Sequence, residues 1–211
     1  MLLCGCEGKR EAPKPLGITL PAVSAVPPPP PGFFVEIFHR RPIPAGTPSN
    51  IDAAETARTQ RPNDPTALRT LGLAYYAAGG YEAAARALAQ AVAKAPEDQV
   101  SWLYLGYCHM ARAHYPEALE ALGHVRSAES ELQQGNVYFQ ALQKDADAEK
   151  HYRAAVQQAP QDGEPLLALG LLLASQAKTA QAQRQLLSAA QKLPPGPLRD
   201  TAYAALAQMK R

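Results

Sequence analysis

One spacing constrains this chain more than any other feature: small and apolar residues return at a period of about 34 residues, the length of a paired-helix repeat unit. The clearest copy runs from Pro65 to Asp98 and contains the string LGLAYYAAGGYEAAARALAQAVAKAPED. Leu68, Leu71, Gly72 and Tyr75 fall on one face of a first helix, where Gly72 is small enough to let a neighbour approach closely. Ala84, Leu88 and Ala91 mark one face of a second helix, and Pro96 ends it. Gly79-Gly80-Tyr81-Glu82 reads as the turn between the two. Nothing in this region alternates with the period of a strand. A single unit of this kind cannot bury its own apolar face, so the units must stack.

Three further copies follow. From Gln99 the same positions hold Trp102, Leu105, Gly106 and His109, then Ala118, Leu122 and Val125. This second unit ends early, near residue 128, because the third is best placed from Glu129 to Asp162. The third carries Leu132, Gly135, Asn136 and Phe139, then Ala148, Tyr152, Ala155 and Pro160. Counted this way its glycine stands one place early and Asn136 fills the small eighth position, which predicts a local change in helix packing. The fourth, residues 163–196, restores the pattern with Leu166, Leu169, Gly170 and Leu173, then Ala182, Leu186, Ala189 and Pro194.

These units, with the Trp-x-x-Leu-Gly opening at Trp102 as their most specific string, resemble the tetratricopeptide repeat family. The resemblance covers about Pro48 to Arg211. It implies an all-α fold: a right-handed superhelical solenoid of about four helix–turn–helix repeats with a C-terminal capping helix. The cap falls in residues 197–211, with Leu198, Tyr203, Leu206 and Met209 as candidate apolar contacts. At the other end, Ser49-Asn50 can cap a short helix from Ile51 to Gln60. Trp102 is expected to be a packing anchor at the joint between the first two units.

Chemistry finds little to stand on. A net charge of +2 with no basic stripe gives no sign of a nucleic-acid partner, and His39-Arg40-Arg41 reads as a solvated cluster. Cys108 is the one thiol in the repeat region, beside His109. Neighbours on a helix point about 100° apart, so the two do not face each other as a nucleophile and its base must. His109, His114, His124 and His151 lack the i, i+4 spacing of helical zinc ligands, so no metal site is read. Glu117 and Glu120 read as solvated, and Glu129, Glu131, Asp145 and Asp147 as helix-start acids. No Gly-rich phosphate loop or nucleophile elbow occurs. The reading is a non-enzyme with no cofactor.

The N-terminal quarter has another character. Residues 7–48 hold eleven of the 20 prolines, with five in a row at Pro27–Pro31, and cannot build a packed core. This is an extended tether. Phe33-Phe34-Val35-Glu36-Ile37-Phe38 interrupts it with three of the four phenylalanines. So apolar a segment is expected to dock: as a cap on the first helices, as a strand added to a partner, or in the protein's own groove. In residues 1–6, Leu3-Cys4-Gly5-Cys6 resembles the lipobox of bacterial lipoproteins, which implies lipidation at Cys6; only five residues precede that cysteine, so either the true start lies upstream of Met1 or the match is accidental. No stretch is long enough to span a bilayer.

By the family resemblance, the first helix of each unit lines a concave groove. That places Arg69, Thr70, Leu73 and Tyr76 of the first unit in it, with Leu103, Tyr104, Tyr107 and Met110 of the second. Gln133, Gln134, Val137 and Gln140 of the third and Leu167 and Leu171 of the fourth complete the set. The Lys, Arg and Asn pattern that holds a C-terminal carboxylate in chaperone-binding relatives is not matched by Leu73, Tyr104, Tyr107 and Gln134. The expected function is a non-catalytic protein-binding scaffold with a protein or peptide in the groove. The expected place is the bacterial envelope, lipid-anchored, where the chain would assist assembly of an envelope, pilus or secretion complex. A soluble cytoplasmic adaptor, or an accessory binding subunit of an enzyme complex, is the alternative. The sequence leaves oligomeric state open.

Overall fold

A computed structural model describes residues 43–47 and 50–209. The Cys4-Gly5-Cys6 string, the Pro27–Pro31 run, Phe33–Phe38 and His39-Arg40-Arg41 lie outside them. Among the described residues there are ten α-helices, one π-helical turn and no strand. A leading helix α1 (Ile51–Gln60) packs on α2. Four helix pairs follow: α2 (Pro65–Ala77) with α3 (Tyr81–Lys94), α4 (Gln99–Ala111) with α5 (Tyr115–Gly123), α6 (Ala128–Asn136) with α7 (Asp145–Gln158), and α8 (Gly163–Ser175) with α9 (Thr179–Lys192). A last helix α10 (Pro197–Gln208) packs on α9.

The two helices of a pair start in different ways. Each first helix has a side-chain N-cap: Asp64, Asp98, Ser127 and Asp162 accept from backbone N–H groups two or three residues on, as Asn50 does for α1. These bonds satisfy donors that a helix start leaves without partners, and each contributes about 1 kcal/mol. None of α3, α5, α7 and α9 has a side-chain cap. They follow a tight turn in which one residue takes a left-handed conformation: Gly79 (φ 80°), Ala113 (57°), Gln143 (53°) and Ala177 (57°). The next N–H bonds back to the closing turn of the first helix: Gly80 to the Tyr75 carbonyl, His114 to His109, Lys178 to Leu173, each at 2.9 Å. This is the left-handed closure that favours glycine, and only the first turn has one.

Within each pair, the eighth residue of the first helix meets the eighth of the second. A Cβ on Gly72 would stand 2.6 Å from Leu88 Cγ, one on Gly106 2.8 Å from Leu122 Cγ, and one on Gly170 2.8 Å from Leu186 Cγ. The third pair follows the same rule, because α6 starts at Ala128 and Gly135 is its eighth residue. The displaced glycine expected from counting at Glu129 is therefore a displaced start. Gly135 faces Tyr152, whose ring carbons a Cβ would reach at 2.5 Å. Tyr152 lies one residue farther along the chain than Leu88, Leu122 and Leu186 do from their glycines. The additional residue is absorbed by the π-helical turn Val137–Ala141, where Leu142 N–H reaches the Val137 carbonyl at 3.1 Å. Lys144 N–H then bonds to Tyr138, one residue farther back than in the other three turns.

The second pair is short on its outer side, with α5 at 9 residues against 14 for α3, α7 and α9. Gln99 holds the abrupt connection that follows, donating to the His124 carbonyl at 3.0 Å and accepting from Arg126 N–H at 2.9 Å. At the C-terminus, Leu198, Leu206 and Met209 pack onto the core, but Tyr203 is 54% exposed. The small residues Ala202 and Ala205 form the buried face of α10 instead, because they let it lie close to α8 and α9.

The non-glycine residues in the left-handed turns are strained, so replacing them should help. Ala113→Gly and Ala177→Gly should each raise stability by about 0.5–1 kcal/mol, since strain relief exceeds the added chain entropy. Gly79→Ala should lower it by a similar amount. Urea denaturation of the three variants checks the sign.

Candidate functional site

Six residues placed on the concave face from sequence come together. Leu73 and Tyr76 of α2, Tyr104, Tyr107 and Met110 of α4, and Val137 of the π turn share one apolar cluster. The rings meet mostly edge to face: Tyr76 and Tyr104 at 5.1 Å, Tyr104 and Tyr107 at 5.4 Å. Such pairs contribute about 0.5–1.5 kcal/mol beyond their burial. Leu103 is half-buried against the same cluster. Tyr104 and Tyr107 are only 6% and 7% exposed. Ile43, from the non-helical segment before α1, also packs on this cluster.

A polar relay borders the rings. The Tyr107 hydroxyl donates to Glu129 at 2.6 Å, and Gln133 donates to the same carboxylate at 2.9 Å. Asn136 donates to Gln133 at 3.2 Å and accepts from the Tyr152 hydroxyl at 2.9 Å. The relay joins α4, α6 and α7, and its buried members Gln133 and Asn136 are satisfied, which is what makes polar residues there tolerable. Glu129 therefore works between side chains, and Glu131 pairs with His151 at 2.8 Å. Both stand in the first turn of α6, where negative charge complements the helix start, and their carboxylates hold these side chains as well. Polar residues at helical core spacing were the available signal for this relay.

The remaining groove candidates have separate surroundings. Arg69 pairs with Asp98 at 3.1 Å, tying α2 to the cap of α4. Thr70 donates to the Thr66 carbonyl at 2.8 Å, and Gln134 to Ser130 at 3.3 Å. Gln140 is half-buried in the π turn. Leu167 and Leu171 are buried in another cluster, with Leu186, Leu193, Ala202 and Ala205. The structure does not bring these two to the tyrosines.

Titratable groups in the repeats are used for packing. Burial pushes the Cys108 thiol up to about 12, far from a reactive thiolate. Burial lowers the pKa of His109, whose ring lies 6.1 Å from that of His114. Trp102 stacks on His124 at 4.0 Å and donates to the Pro96 carbonyl at 2.8 Å, bridging the end of α3 to the end of α5. It is half-buried, a strap across the joint more than a core anchor. His151 stacks on Tyr138 at 5.2 Å. Glu149 sits between Arg153 and Lys178; burial opposes its charge, but the Lys178 hydrogen bond and the Arg153 charge hold its pKa below the ordinary value. Among the described residues, no three His, Cys, Asp or Glu side chains are grouped to hold a metal ion, and no helix is long and apolar enough to cross a membrane.

Residues 69–125 match the tetratricopeptide repeat family model. No curated protein matches the chain. Solved structures share its fold. A thermophilic TPR protein from Thermus thermophilus superposes with a TM-score of 0.60 at 24% identity, over 74% of this chain and 89% of that one. PilF from Pseudomonas aeruginosa gives 0.63 at 18% identity, over 75% and 80%. YrrB, described as a TPR protein with an unusual peptide-binding site, gives 0.61 at 16% identity, over 76% and 86%. The segment from Arg69 to Val125 thus matches tetratricopeptide sequence, and the helical array around it shares the all-α repeat-solenoid fold of these structures.

Proposed function

We propose that this protein is a non-catalytic binding scaffold whose first helices receive an extended or helical peptide with apolar anchors. One observation carries the reading. Tyrosine, leucine and methionine side chains of two successive first helices, with Val137 of a third unit, converge on one cluster, and a non-helical segment at Ile43 already lies against it. A surface that accepts one irregular chain segment through apolar contact has the chemistry to accept another. YrrB shares the fold, and its description names a peptide-binding site.

The test is selection of peptides on the full-length protein, followed by anisotropy titration. Selected peptides should carry aromatic or branched apolar anchors. Leu103→Asp, at a half-buried position of the cluster, should weaken them by about thirtyfold or more, equivalent to about 2 kcal/mol. Lys150→Ala, on the exposed side of α7, should bind as wild type does. Equal affinity for Leu103→Asp, with its melting temperature unchanged, would place the binding surface elsewhere.

The location belongs to the same proposal. The Leu3-Cys4-Gly5-Cys6 string and the proline-rich stretch after it support a lipid on Cys6, with the proline-rich residues between Cys6 and Phe33 serving as the spacer from a bacterial membrane. There the scaffold would assist assembly of an envelope, pilus or secretion complex. Behind a complete secretion signal, wild type and Cys4→Ser should fractionate with membranes, and Cys6→Ser should be released. Release of all three, or of none, would count against the anchor.

A further inference from the structure

Between Ile43 and α1 the chain reverses. Thr47 N–H and hydroxyl both donate to the Pro44 carbonyl, at 3.2 and 2.9 Å, and Gly46 takes φ 86°, a conformation that glycine adopts without strain. Just ahead of this turn, Ile43 packs on the apolar cluster that includes Tyr76, Tyr104 and Tyr107. The chain ahead of Ile43 therefore joins the described residues at that cluster. Phe38 is five residues upstream, a reach of at most about 18 Å at 3.3–3.6 Å per residue. That is close to two helix-to-helix spacings of about 8–10 Å. In extended form, residues 33, 35 and 37 point the same way, and they are Phe, Val and Ile. The basic run His39-Arg40-Arg41 lies between this strip and Ile43, and Glu129 stands at the edge of the cluster.

We propose that Phe33–Phe38 is the resident occupant of the tyrosine-lined face, so the protein holds a segment of its own chain where a partner would bind. This rests on the reading of that face as a peptide surface. The tail then competes with any partner, and apparent affinity falls in proportion to the fraction of molecules whose face is open.

The experiment uses purified full-length protein without a partner. Phe33 is replaced by the photo-crosslinker p-benzoylphenylalanine, the sample is irradiated, and the products are mapped by mass spectrometry. Monomeric products joined to peptides carrying Leu73–Tyr76, Leu103–Met110 or Val137 are expected. Crosslinks confined to α1, α3 or α8–α10, a crosslinked dimer, or no crosslink at all would each overturn the proposal. Such a failure leaves the peptide-selection result intact. Conversely, crosslinks on the tyrosine face without peptides sensitive to Leu103→Asp would overturn only the partner-binding reading.

Discussion

The array depends on a close approach that only glycine permits. In every pair a helix interior carries glycine where its partner brings a large side chain: Leu88, Leu122, Tyr152 or Leu186, each fully buried. Glycine inside a helix costs about 1 kcal/mol relative to alanine. Burying the facing leucine contributes about 1.5–3 kcal/mol, and the helices could not approach as closely with a methyl group between them. The separation it sets determines where the rest of each pair packs. Alanine at Ala84, Ala118, Ala148 and Ala182, all fully buried, completes the seam.

Other features of the array accommodate that contact. The third pair shows this most directly, since it keeps glycine opposite the eighth residue of its partner although the chain between them is longer by one. A regular helix would have rotated the later residues off the seam; the π turn at Val137–Ala141 takes up the excess. The larger Tyr152 then brings a hydroxyl into the interior, and Asn136 and Gln133 satisfy it. One additional residue, one aromatic replacement and two buried amides thus form a single local solution.

Much of the fold was legible because its determinants are local. Period, glycine spacing and the short second unit are visible in sequence, and so is Asn50 as the cap of α1. What was not legible depends on geometry between elements. Gly135 looked misplaced because a residue count cannot distinguish an early glycine from an early helix start. Glu129 and Glu131 are the first-turn acids that the sequence suggests, but their side-chain partners, Tyr107 and His151, lie 22 and 20 residues away and could not be read. Tyr203 looked like a core residue because periodicity marks an apolar face without saying whether small neighbours will supply the contact. For the candidate site, the repeat positions that the family resemblance assigns to a groove name Leu73, Tyr76, Tyr104, Tyr107, Met110 and Val137, and these six pack in one cluster. The packing of Ile43 on them could not be read, because that segment lies outside the periodic region and obeys no register.

The claim that the glycine seam organises the array is tested most directly by a double-mutant cycle at the second pair. Gly106→Ala is compared in wild type and in Leu122→Ala by urea denaturation. In wild type the added methyl meets Leu122 Cγ and Cδ2 at 2.8 Å, so it should destabilise by about 1–3 kcal/mol. With Leu122 truncated the clash is gone, and the better helix propensity of alanine should make the same change neutral or stabilising by up to about 1 kcal/mol. An equal loss in both backgrounds would contradict the account.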